Sequence, residues 1–122
     1  MELLALPRSV LVVIDVQGKI LEMAYRSGMV IAATLRLLRM AELFRVPVVL
    51  TEQYPRGLGT THPDVRALFD ALTVPTRFVV KDSFGCWGEP TFREALAELC
   101  APVPLGQRQA VVAGIEAHVC VM

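Results

Sequence analysis

Three residues of this chain, Asp15, Lys81 and Cys120, are of the types that together make a nucleophile. A thiol at its free pKa is mostly protonated at neutral pH. A nearby ammonium and a helix N-terminus stabilise the thiolate, and a carboxylate accepts or shuttles its proton. Each residue also has a plainer role: Asp15 as a turn cap, Lys81 as a solvated strand-end charge, Cys120 as a small buried hydrophobe. Their shared position favours the chemistry, because each follows an apolar run that reads as a strand.

The first run, Ser9 to Asp15, is continuously β-branched or aliphatic up to its polar end. Continuous rather than alternating apolarity predicts a strand buried on both faces. Met29 to Arg45 carries Ile31, Leu35, Leu38 and Leu43 among charged residues and predicts a helix over one face of a sheet. Val46 to Thr51 is a second short strand. Tyr54 to Gly59 is a loop by its proline and glycines, either a pocket rim or an interface. Pro63 to Leu72 is a short helix with Thr61 or His62 near its cap, Pro63 in its first turn and Asp64 at the positive end of its dipole. Thr76 to Val80, Thr91 to Cys100 and Gln109 to Ile115 complete the pattern as strand, helix and strand. Strand and helix alternating in this way predict βαβ units on one parallel sheet of strand order 3-2-1-4, in one domain.

In open α/β sheets ligands bind outside the carboxyl ends of the strands. Those ends read Asp15, Val16, Gln17; then Thr51, Glu52, Gln53, Tyr54; then Lys81, Asp82, Ser83, Phe84; then Glu116 to Cys120. Asp15, Lys81 and Cys120 are thereby predicted to share one rim. Gln17, Gln53, Tyr54, Phe84, Trp87 and His118 are the residues placed to line a pocket there. Phe84 and Trp87 fit the core as well as a substrate wall, and His118 fits a polar turn better than a base.

Composition narrows the partners. Twelve basic and twelve acidic residues leave zero net charge, so there is no basic footprint for nucleic acid and no polybasic membrane patch. The apolar fraction of 54% with little self-repulsion favours association into a homo-oligomer. The run Val10 to Ile14 is far too short to span a bilayer, and the N-terminal residues do not read as a signal peptide. Three cysteines do not make a disulfide framework and fit a reducing cytoplasm. Cys100 reads as structural, and Cys86 as structural or, following the Lys81 segment, as pocket lining with Phe84 and Trp87. His62 and His118 have no ligand spacing with a cysteine, so no metal is expected, and DVQGK after the first strand lacks the Gly-x-Gly turn of a dinucleotide site. No cofactor is expected.

The motifs VVIDVQ and GIEAHVCV, with Lys81 after the third strand, resemble the isochorismatase-like cysteine hydrolases. The loop TEQYPRGLGTTHPDV resembles the branch of isochorismatase domain-containing proteins, and the likeness spans essentially the whole chain. The resemblance implies a three-layer α/β/α fold with a parallel, Rossmann-like sheet, and a hydrolase of small amides acting through a thioester. In it Asp15 is the acid–base group, Lys81 the electrostatic activator and Cys120 the nucleophile. It also implies an oxyanion hole from the backbone N–H groups of Glu116 and Cys120, held by a cis Ile115–Glu116 bond. The substrate is then a small molecule. Vinyl-ether hydrolysis, and a non-catalytic oligomer module that retains the motif, are the alternatives. Relatives of this kind continue past the cysteine with a helix, whereas only Val121 and Met122 follow here. Two residues cannot form a first helical turn. Residues 1–122 are therefore expected to be the N-terminal two-thirds of such a domain, with its C-terminal part missing.

Overall fold

The computed structural model describes residues 9–14, 16–18, 27–53, 59–81, 90–99 and 109–114. They comprise strand β1 (Ser9–Ile14), helix α1 (Ser27–Phe44), β2 (Val48–Gln53), α2 (Pro63–Ala71), β3 (Thr76–Lys81), α3 (Pro90–Leu99) and β4 (Gln109–Gly114). The strands form one parallel sheet in the order β3-β2-β1-β4, as the alternation predicts. β1 and β2 occupy the centre, and all six residues of each are buried. Their unbroken aliphatic runs serve this position, since both faces of the pleat must be apolar.

The pleat sorts the core into two layers. Leu11, Val13, Val48 and Leu50 pack with Leu38 and Ala41 of α1 and with Val65 and Phe69 of α2. Val10, Val12, Ile14, Val49 and Val79 point the other way, onto Ala95, Leu96 and Leu99 of α3. Helices on both faces give the three layers.

The helices bury the residues that spacing brings onto one side. Thr34, Leu38 and Ala41 are the buried residues of α1. Leu43 belongs to the expected stripe but is 75% exposed. Five residues beyond Leu38, it is rotated by about 140° around the helix and leaves the core face. The end of α1 is closed by Val46 N–H donating to the Ala41 carbonyl at 2.8 Å, with Arg45 at φ 58°. That is the left-handed position where glycine usually sits. In α2, His62 is the N-cap, its Nδ1 accepting from Asp64 N–H at 3.2 Å, and Pro63 follows it at the start of the helix. This is the capping role that the sequence suggests.

β2 begins two residues later than the sequence suggests and runs through Glu52 and Gln53. Val46 and Pro47 are spent on the connection from α1, where the Pro47 carbonyl accepts from Leu11 N–H at 2.9 Å. The polar end of β2 remains in the sheet because Glu52 pairs with Val80 and Gln53 with Lys81.

Candidate functional site at the carboxyl rim of the sheet

The register fixes which residues stand level at the rim. Ile14 pairs with Thr51 on one side and Gly114 on the other, and Gln53 pairs with Lys81. The last residue of β1 thus neighbours the last residue of β4, and Lys81 ends β3 beside the end of β2. The segments that leave from these points carry Asp15 and, six residues past Gly114, Cys120. Asp15, Tyr54, Phe84, Trp87, Glu116, His118 and Cys120 lie outside the described residues, as do Cys86, Cys100 and the Ile115–Glu116 bond. Lys81 is described by its place in the strand alone.

What is described at the rim is a set of polar side chains used by the backbone. Residues 16–18 run antiparallel to residues 60–62, joined by a bridge between Gln17 and Thr61. Gly18 N–H donates to the Thr60 carbonyl at 3.1 Å, and His62 N–H to the Val16 carbonyl at 2.9 Å. Gln17 is fully buried. Its Nε2 donates to the carbonyls of Gln53 at 2.9 Å and Gly59 at 2.6 Å, while its Oε1 accepts from Gln53 N–H at 2.6 Å. One amide therefore ties the exit of β1 to the exit of β2 and to the return of the following loop. A buried amide with partners for both ends avoids the desolvation penalty of an unpaired one. Gln17 stands next but one after Asp15 in the sequence. Gln53 is buried as well, with its backbone N–H and carbonyl both on Gln17.

Glu52 is a feature that the sequence reading passes over. Only 4% exposed, it accepts at Oε2 from Thr61 N–H at 3.0 Å and from Thr61 Oγ1 at 2.7 Å. Thr61 immediately precedes the N-cap of α2, so the carboxylate also lies near the positive end of that helix dipole. The signal available in the sequence was an acidic residue at a strand's carboxyl end, followed nine positions later by a threonine ahead of a helix start. Among the described residues no three His, Cys, Asp or Glu side chains converge as a metal site would require, and no helix is long and apolar enough to cross a membrane.

A parallel sheet covered by helices on both faces defines a three-layer α/β/α domain, and comparison with known proteins gives its family. The Isochorismatase domain model matches residues 9–122, and the chain belongs to that family. It is 33% identical over 113 residues to isochorismatase domain-containing protein 2 of Danio rerio, covering 93% of this chain and 51% of the relative. It is 35% identical over 114 residues to the protein of the same name from Pongo abelii, covering 93% and 49%. The chain spans about half the length of the curated relatives it matches. Among solved structures, the MAR1 ribonuclease from Caenorhabditis elegans superposes with a TM-score of 0.76 at 30% identity, over 97% of this chain and 56% of that one. The YcaC gene product of Escherichia coli, described as an octameric hydrolase of unknown specificity, superposes with a TM-score of 0.79 at 22% identity, over 97% and 55%.

Proposed function

We propose that the protein is a cysteine hydrolase of the isochorismatase-like family, acting on a small amide-type C–N bond with Asp15, Lys81 and Cys120. The observation that carries this reading is the register at the rim. β3, β2, β1 and β4 are adjacent; β1 and β4 end level with each other at Ile14 and Gly114, and β2 and β3 end level with each other two residues further on, at Gln53 and Lys81. This supports Asp15, Lys81 and the segment that leads to Cys120 sharing the carboxyl rim of one sheet.

In this reading the Lys81 ammonium lowers the pKa of Cys120 and Asp15 takes the thiol proton. The thiolate sulfur attacks the amide carbonyl carbon, and the negative charge on the carbonyl oxygen is met by the backbone N–H groups of Glu116 and Cys120. As the tetrahedral intermediate collapses, the C–N bond breaks and the amine leaves with the proton from Asp15. Water then attacks the thioester and gives a proton to Asp15. The S–C bond breaks, the carboxylic acid departs, and the thiol is restored. Gln17 anchors the residues that follow Asp15 in the chain, and Tyr54, Phe84, Trp87 and His118 are assigned to the substrate side. Zero net charge gives a polyanionic substrate no attraction, which supports a small molecule over RNA. Self-association is part of the proposal: among the described residues β4 is the outer strand of the sheet and its Val112 is 45% exposed, a surface suited to a second copy.

The test is site-resolved alkylation of the 122-residue chain by iodoacetamide across pH. Cys120 is expected to react with a midpoint below the free-thiol value of about 8.5, ahead of Cys86 and Cys100, and Lys81→Ala is expected to raise that midpoint by about one unit. Equal reactivity of the three cysteines, or a midpoint that ignores Lys81, sinks the assignment.

A further inference from the structure

A cavity of about 630 Å³ opens between the end of β2 and α2, lined by Glu52, Thr61, Pro63, Arg66, Ala67 and Phe78, with Thr60 and Asp70 at its margin. The size is that of small-ligand sites. Its polar group of interest is Glu52. Both hydrogen bonds to this carboxylate fall on Oε2. Among the described residues no fully buried side-chain oxygen or nitrogen lacks a partner, so Oε1, which takes neither bond, is the oxygen open to the cavity. The residue as a whole is 96% buried, by its exposure of 4%.

A buried carboxylate is costly unless it is paired with a cation. Among the described residues the cation lining the cavity is Arg66, which donates from Nε to both oxygens of Asp70, at 3.1 and 3.2 Å. Its guanidinium also lies 4.2 Å from the centroid of the Phe78 ring. The ring face is therefore occupied as well, and the open acceptor of the cavity is Glu52. Among the described residues the ionisable lining, two carboxylates against one guanidinium, is net negative. Pro63, Ala67 and the Phe78 edge supply apolar wall beside it.

The geometry points to a binding site for a small primary alkylammonium group, its N–H donors on Glu52 Oε1 and its hydrocarbon along Pro63, Ala67 and Phe78. An ammonium offers charge and hydrogen-bond donors together, which a buried carboxylate oxygen flanked by a threonine can use. A divalent metal would need further anionic or imidazole ligands, and the described residues bring no group of three such side chains together. The proposal stands apart from the thiol chemistry of Cys120 and does not require it.

The experiment is a titration of the 122-residue chain followed by backbone amide NMR at Thr61 and Arg66. Three probes are used at matched ionic strength: n-butylammonium chloride, tetramethylammonium chloride and 1-butanol. Saturable shifts with butylammonium alone are expected, because the quaternary ion cannot donate a hydrogen bond and the alcohol carries no charge. Glu52→Gln keeps an acceptor for Thr61 and is expected to weaken binding about tenfold or more. Ala67→Trp fills the exposed mouth without touching the carboxylate and is expected to abolish the shifts; it decides the matter if Glu52→Gln does not fold. Shifts that do not saturate, equal shifts with either control, or wild-type affinity in Ala67→Trp overturn the assignment.

Discussion

The two edges of the sheet are built differently. On β3, Val79 is buried under α3, and Arg77 reaches Glu98 of that helix at 3.0 Å. On its other face Phe78, 39% exposed, lies beneath the Arg66 guanidinium. The entry to this strand is also pinned. Glu42 of α1 accepts from Thr73 N–H and Oγ1 and from Val74 N–H, all at 2.7–3.2 Å. On β4, Val111 packs against the α1 layer, while Ala110 and Val112 stand exposed on the α3 side. Charged side chains that cap an edge discourage pairing with another chain, and a bare β-branched edge invites it. Among the described residues, β3 carries an ion pair and a cation–ring contact from its own chain, though its Val80 is 48% exposed, whereas β4 leaves Ala110 and Val112 exposed without such contacts.

The comparison is broken most directly by truncating one valine on each edge. Val79→Ala is expected to cost about 2 kcal/mol in urea unfolding, from the lost transfer energy and the cavity left, and Val112→Ala less than about 0.5 kcal/mol. Equal costs would mean that β4 is as well covered as β3. A charge sharpens the comparison. Val112→Lys is expected to weaken self-association by about tenfold, equivalent to 1.4 kcal/mol, while leaving the melting temperature of the dilute protein unchanged. Sedimentation at several concentrations reads this out, and association identical to the wild type would remove β4 from the interface.

The smallest effect lies at the entry to β3. The Thr73 hydroxyl, with the Thr73 and Val74 amides and the charge of Arg45 adding to it, holds the Glu42 carboxyl below its ordinary value of 4.5. Because the folded value is the lower one, the stabilisation is complete above the unfolded pKa and is lost as pH falls through the folded pKa. Glu42→Gln is expected to flatten the fall of the urea midpoint between about pH 5 and pH 3 relative to the wild type. Parallel curves would show that the carboxylate contributes nothing through its charge.

Much of this architecture is legible in the sequence because its signals are local. The unbroken aliphatic runs of Ser9–Ile14 and Val48–Leu50 announce central strands, and Pro63 beside His62 announces a helix start. Leu43 misleads because helical spacing tolerates it only as an approximate match to the stripe. Glu52 and Gln53 read as loop because polar residues at a strand end look solvated. They stay in the sheet through Thr61 and Gln17, partners nine and thirty-six positions away. No local pattern announces such bonds. The rim was legible in outline, since strand ends follow from strand positions. The pocket beside Glu52 was not, since it depends on how α2 lies against the end of β2.

The pairing of β1 also bears on how the chain reaches its fold. β1 is synthesised first, yet its second neighbour, β4, begins about one hundred residues later, and contacts of such high sequence separation are slow to form because the loop-closure entropy precedes their reward. β2 and β3 can dock while β4 is still being made, leaving one side of the most apolar strand open in the nascent molecule. That open flank has the backbone spacing of any parallel partner, so the interval before β4 arrives is when this protein is most exposed to pairing with a neighbouring nascent chain. A chaperone that shields residues 9–14 during that interval would raise the yield of folded protein without altering its final stability.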